Sequence, residues 1–229
     1  MNFFKPGPVR VKICGVTGET DARMVIGAGA DALGFNFFPG SKRYLNPDLA
    51  IPWIRRLGDA VDRVAVVVNP DRALLEKLCS AGCFEAVQFH GEESPSFCER
   101  AGFPVWIKAV RVRDRAALDA ALHYNTPHLL LDAWSEGIYG GTGKRLDWDL
   151  AGDFLLQQKD RLFVLAGGLD VQNIRQALRI IRPHAVDVAS GVEWQPGIKE
   201  ESLVRDFVRA VHGVFPRESP GLPPGGGSA

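Results

Sequence analysis

A chain of 229 residues, 46% of them hydrophobic, can bury a sizeable core, either as two small domains or as one α/β barrel of about 200–250 residues. Lys and Arg total 27 and Asp and Glu total 27, so no net field favours nucleic acid or an acidic membrane surface. No run approaches about 18 uninterrupted apolar residues, which argues against a membrane-spanning helix.

In chain order, the strand candidates are "VRVKIC" 9–14, "ALGFNF" 32–37, "RVAVVV" 63–68, "AVQFH" 86–90, "VWIKAV" 105–110, "HLLLDA" 128–133, "LFVLAG" 162–167 and "AVDVAS" 185–190. Between them lie amphipathic stretches such as "ETDARMVIGAGA", "DRALLEKLCSAG", "RDRAALDAALHY" and "DVQNIRQALRII". Several open on acidic or capping residues and some close at glycine. Apolar runs alternating with amphipathic ones are the pattern of βα units on a parallel sheet. Eight units in this length predict a single (βα)8 TIM barrel over residues 1–212. An open doubly wound sheet would carry G-x-G-x-x-G after its first strand, and that fingerprint is missing. The end of the chain, "PRESPGLPPGGGSA", holds four prolines and four glycines, so residues 213–229 read as a disordered tail. "MNFFKPGPVR" is too short and too polar to be a secretory segment, and the four cysteines form no CxxC pair. A reducing cytoplasm is the expectation.

Barrels of this kind work at the carboxyl ends of their strands, so the residues closing each run are the ones to weigh. Cys14 closes the first. A lone cysteine is ordinarily a small buried hydrophobe, and Cys79, Cys83 and Cys98, assigned to the third and fourth helices, read that way. Cys14, at the mouth, also has the position of a base. A free thiol is only a few per cent ionised at neutral pH. Lys12, two residues back on the same side of the strand, could supply the missing stabilisation, or it could pair inside the barrel with Asp187. Asp132 follows three leucines and emerges from a dry wall, where desolvation favours the neutral carboxyl that a general acid needs. The other reading of Asp132 is a cap or an ion-paired strand end.

Gly167 and Gly168 after the seventh strand, and Ser190 and Gly191 after the eighth, stand where barrels bind phosphate, since glycine lets backbone N–H groups approach an anion. "IYGGTGK" after the sixth strand adds glycine to the same side. A small phosphorylated molecule is therefore the expected ligand. Arg43, in "FPGSKRYLNP", is either a solvated loop charge or a clamp on a carboxylate. His90 could ligate a metal, but His123, His128, His184 and His212 fall elsewhere, and Cys79 with Cys83 lacks a second pair, so no metal is expected.

At these residues the chain resembles the phosphoribosylanthranilate isomerases. "VKICGVT", "GADALGFNFFPGSKRY", "VQFHGEE", "LLLDA", "YGGTGKRLDW", "LAGGLDVQNI" and "VDVASGVEWQPGIK" are similar to that family's motifs in order, over residues 9 to 211. The resemblance implies an Amadori rearrangement in tryptophan biosynthesis, with Cys14 as general base, Asp132 as general acid and no cofactor. It implies that Arg43 faces the anthranilate carboxylate, and that Gly167, Gly168, Ser190 and Gly191 form the phosphate site. The expected enzyme is cytoplasmic, a monomer or a homodimer. Ala189 departs from the family pattern, which has a hydroxyl or amide side chain there; the backbone N–H groups of that loop remain. Two other functions fit a phosphate-binding barrel. The sugar-phosphate isomerisation of histidine biosynthesis would place an aspartate where Cys14 stands. A barrel that had lost catalysis would serve only for binding.

Overall fold

The structure is a computed structural model, described for residues 3–5, 7–133, 146–158 and 160–214. All eight expected strands form, as β1 (Arg10–Cys14), β2 (Ala32–Asn36), β3 (Asp62–Val67), β4 (Ala86–Phe89), β5 (Trp106–Val112), β6 (His128–Ala133), β7 (Leu162–Leu165) and β8 (Ala185–Val188). They pair in parallel in chain order and close between β8 and β1. Helices alternate with them: α1 (Glu19–Gly27), α2 (Pro47–Arg55), α3 (Arg72–Ser80), α4 (Pro95–Glu99), α5 (Arg115–Ala121), α6 (Trp148–Gln157), α7 (Ile174–Ile181) and α8 (Glu201–Val214). This is a (βα)8 TIM barrel.

Parallel strands covered on both faces read as near-continuous apolar runs, which is why they stand out in the sequence. Alternate residues divide between two cores. Those facing in, among them Ala32, Val64, Ala86, Ile107, Leu130, Val164 and Ala185, pack with Phe3 and Phe4. Those facing out pack beneath the helices. Helix α7 shows the second arrangement plainly, burying Ile174, Ala177, Leu178 and Ile181 at the i, i+3, i+4, i+7 spacing of one helical face. Asp71 and Asp114 cap α3 and α5 by accepting from Leu74 N and Ala117 N.

Three features depart from the sequence reading. Helix α3 ends at Ser80, and Gly82 turns the chain at φ +62°, so Cys83 is a buried residue beyond the helix and not its companion to Cys79. The expected domain end at residue 212 falls inside α8, which runs on to Val214; residues 215–229 lie outside the described residues. After β8 the chain adds a 3-10 turn, Ser190–Val192, and an antiparallel pair, β9 (Glu193–Gln195) with β10 (Ile198–Lys199), that no apolar alternation signals.

Candidate active site

Cys14 ends β1 opposite Gly34 of β2. A side chain at Gly34 would meet Cys14 Sγ at 2.7 Å and Lys12 Nζ at 2.9 Å, so glycine is what leaves room there for the thiol and the ammonium. Lys12 is fully buried, and its Nζ donates to Asp187 Oδ1 at 2.9 Å. The pairing reading of Lys12 is thus correct. Burial opposes its charge, yet Asp187 and Cys14 outweigh that and raise its pKa. Burial pushes the Cys14 thiol up as well, and Asp187 adds to it; Lys12 and Lys199 act in the lowering direction without reversing it. Lys12 therefore moderates the thiol without bringing it below its ordinary range.

Asp132, 5% exposed, stands near the end of β6. Its Oδ1 accepts from Ala133 N at 2.9 Å, and His90 Nε2 lies 3.2 Å from Oδ2. His90 is held in turn by Gln88, whose Nε2 is 3.0 Å from His90 Nδ1. Gly167, at φ +89°, packs its backbone against the same carboxyl: a Cβ there would lie 2.6 Å from Ala133 N and 3.1 Å from Asp132 Oδ1. A Cβ on Gly191 would sit 2.0 Å from Leu169 O, so the loops after β7 and β8 touch where Gly191 lacks a side chain. Gly168 also takes a positive φ, +63°, and its carbonyl accepts from Asn173 Nδ2 at 2.8 Å, just ahead of α7.

Arg43 is not a solvated loop charge, since its side chain is 12% exposed. It lies across Gly15, where a Cβ would meet Arg43 Cδ at 2.2 Å. Its Nε donates to Glu193 Oε1 at 2.8 Å and its Nη2 to Oε2 at 2.6 Å. That bidentate bond raises the arginine pKa above its ordinary value, against the opposing effect of burial. Among the described residues, no group of three His, Cys, Asp or Glu side chains could hold a metal ion.

A sequence model of the family described as N-(5'phosphoribosyl)anthranilate (PRA) isomerase matches residues 11–210. The chain belongs to the phosphoribosylanthranilate isomerase family. The N-(5'-phosphoribosyl)anthranilate isomerase of Pelobacter propionicus is 43% identical over 201 residues, covering 88% of this chain and 94% of that one. The crystal structure of phosphoribosyl anthranilate isomerase from Thermotoga maritima matches at a TM-score of 0.82 and 39% identity, over 90% of this chain and 99% of that one. A phosphoribosyl anthranilate isomerase solved in complex with reduced 1-(o-carboxyphenylamino)-1-deoxyribulose 5-phosphate matches at 0.77 and 38%, over 90% and 99%. The chain is accordingly an intramolecular aldose–ketose isomerase of tryptophan biosynthesis.

In this isomerase the residues singled out from the sequence gather into two groups at the carboxyl end of the barrel. Cys14 and Arg43 meet around Gly15, and Asp132 meets Gly167. Ser190 and Gly191 open the 3-10 turn after β8. The "IYGGTGK" loop lies outside the described residues. Sequence reasoning passed over Gln88 as a partner of His90, although both share the inward parity of Ala86 on β4, where a polar residue is itself a signal. It also passed over Glu193 and Lys199, whose local pattern, a short charged stretch, looks like any solvated loop.

Proposed function

We propose that Cys14 and Asp132 divide the acid–base work of this isomerase as general base and general acid. The reaction converts N-(5-phosphoribosyl)anthranilate to 1-(2-carboxyphenylamino)-1-deoxyribulose 5-phosphate. Asp132 gives a proton to the furanose ring oxygen as its bond to C1 breaks, leaving an iminium between C1 and the anthranilate nitrogen. The Cys14 thiolate then takes the proton from C2, whose acidity the iminium has raised, and an enolamine results. Tautomerisation puts a proton on C1 and a carbonyl at C2. One acid and one base balance the scheme, so neither metal nor redox cofactor enters it.

Supporting this reading is the carboxyl of Asp132, buried among His90, Gly167 and Ala133 at the same end of the barrel as the Cys14 thiol. Buried groups act here on developing charge with little competition from water. Arg43 takes the ring carboxylate, and the backbone of Gly167, Gly168, Ser190 and Gly191 takes the phosphate. No helix among the described residues is long and apolar enough to cross a membrane; the proposal includes a cytoplasmic catalytic unit, monomer or homodimer. The test is the fluorescence of phosphoribosylanthranilate followed with purified protein. Consumption with formation of the ketose supports the assignment once Cys14→Ser and Asp132→Asn abolish it; near-normal turnover in either variant overturns it.

A further inference from the structure

Beneath Cys14 and Arg43 lies a cluster of charges that the scheme above does not use. Lys199, on β10, has a fully buried side chain whose Nζ donates to Cys14 O at 2.6 Å, Ala189 O at 3.2 Å and Glu193 Oε1 at 2.8 Å. Glu193, its side chain 3% exposed, accepts from that ammonium and from two nitrogens of Arg43, and Gly197 N donates to it at 3.2 Å. Thr17 Oγ1 fastens the turn between β9 and β10 by donating to Gly197 O at 2.5 Å. The hairpin therefore joins the end of β1, the end of β8 and the loop after β2 through one buried triad.

Buried ion pairs add little net stability, because desolvation consumes most of the attraction. What they impose is geometry. Glu193 uses the Nε–Nη2 edge of the Arg43 guanidinium, and a guanidinium has a second, Nη1–Nη2 edge suited to another carboxylate. We propose that Glu193 and Lys199 are positioning residues for the isomerisation, Lys199 setting the Cys14 end of β1 against β8 and Glu193 turning the second edge of Arg43 toward the substrate carboxylate. The inference rests on Cys14 as the base and Arg43 as the clamp. The charged groups facing the Cys14 thiol are Lys12 from β1, Asp187 from β8, Lys199 from β10 and Arg43 from the loop after β2. Lys199 belongs to the set that holds the thiol down, so removing its charge weakens the thiolate.

Two readouts on the full chain test this. The first is the pH dependence of Cys14 alkylation by iodoacetamide, followed by mass spectrometry, in wild type, Lys199→Met and the doubly neutral Lys199→Met/Glu193→Gln. The thiol midpoint should rise by about one unit, making the thiolate about tenfold scarcer at neutral pH. If Lys199→Met does not fold, the double variant, which leaves no carboxylate stranded opposite a missing ammonium, carries the measurement with a smaller rise, since the carboxylate lost with Glu193 offsets part of the lost ammonium. The second is binding of the reduced product analogue and of its counterpart lacking the ring carboxylate. Glu193→Gln should weaken the carboxylated ligand about tenfold and leave the other unchanged, with Glu193→Asp recovering part of the loss. An unmoved thiol midpoint, or equal losses for both ligands, overturns the inference. Because alkylation and binding are read without turnover, they stand apart from the fate of the catalytic assignment, which Cys14→Ser decides.

Discussion

His90 Nε2 lies 3.2 Å from Asp132 Oδ2, and the opposite nitrogen of the same ring lies 3.0 Å from Gln88 Nε2. With the Gln88 amide so oriented, Nδ1 accepts, the ring proton sits on Nε2, and Nε2 donates to Asp132 Oδ2. Turning that amide over would present Oε1 to Nδ1, move the ring proton there, and leave Nε2 to accept from a protonated Asp132. Under the role proposed for Asp132, the second arrangement is the one that requires the carboxyl to carry its proton. Gln88 Oε1 is buried without a hydrogen-bond partner in the first.

Asp132→Asn retains the size and the bond from Ala133 N but carries no transferable proton. Turnover should fall by about 10²–10⁴-fold, the range for losing a positioned acid. Binding of the reduced product analogue, measured by calorimetry, should stay within a few-fold of wild type. Turnover within tenfold of wild type would move the acid elsewhere.

The barrel was legible because its strands are largely apolar runs, and the same runs place Cys14 and Asp132 at the carboxyl ends of β1 and β6. Strand parity sufficed to foresee Lys12 with Asp187, since β1 and β8 are adjacent and the two residues pair directly in register. Arg43 was only half legible. Its bond to Glu193 spans 150 positions, and a solvated arginine has the same local sequence as a clamped one. Lys199 shows the same limit, for an ammonium becomes a buried structural group only when a distant hairpin closes over it. Phe3 and Phe4 likewise gave no periodic signal, yet Phe3 N donates to Asp62 Oδ2 at 2.8 Å and both rings enter the barrel's inner core.

Arg43→Ala should act mainly through substrate binding. Losing a charge-assisted bond to the ring carboxylate should cost about 1.5–3 kcal/mol, or roughly ten- to a hundredfold in kcat/KM, carried largely by KM. Arg43→Lys should recover little of it, since one ammonium cannot offer two planar edges to Glu193 and the substrate at once. Steady-state kinetics on both variants check this, and an unchanged KM in Arg43→Ala would remove Arg43 from the substrate contact.

Cys98 gives stability a definite alkaline slope. Burial pushes its thiol from 9.0 up to about 12, and the residue is fully buried. Between those values the unfolded chain releases a proton that the fold retains, so stability is complete below pH 9.0 and is lost as pH rises through the window. Near pH 10.5 the loss from this group should be about 2 kcal/mol. Tyr124, also raised to about 12 by burial, adds to the slope in the same direction. Urea unfolding near pH 8 and pH 10.5 should show a smaller drop for Cys98→Ala than for wild type; equal drops would refute the contribution.

Rate should depend on Cys14 in a way that separates it from a packing residue. Under the roles proposed for Cys14 and Asp132, catalysis needs the thiolate together with a protonated carboxyl. Burial and Asp187 raise the thiol, whereas a carboxylic acid gives up its proton at lower pH than a thiol of this kind. The productive form is then a small and nearly constant fraction across the neutral range. It shrinks below the carboxyl's titration, where the thiolate disappears, and above the thiol's, where the thiolate is complete but the protonated acid still declines. The pH profile of kcat/KM should therefore be a broad bell whose alkaline limb marks Cys14 and lies above 9.0. Cys14→Ser replaces the thiol with a hydroxyl that hardly ionises, so turnover should nearly vanish at every pH while the protein stays folded, the serine being the smaller fit against Gly34 and Lys12. Near-normal kcat in Cys14→Ser would return the cysteine to packing, with His90 the first residue to try as base.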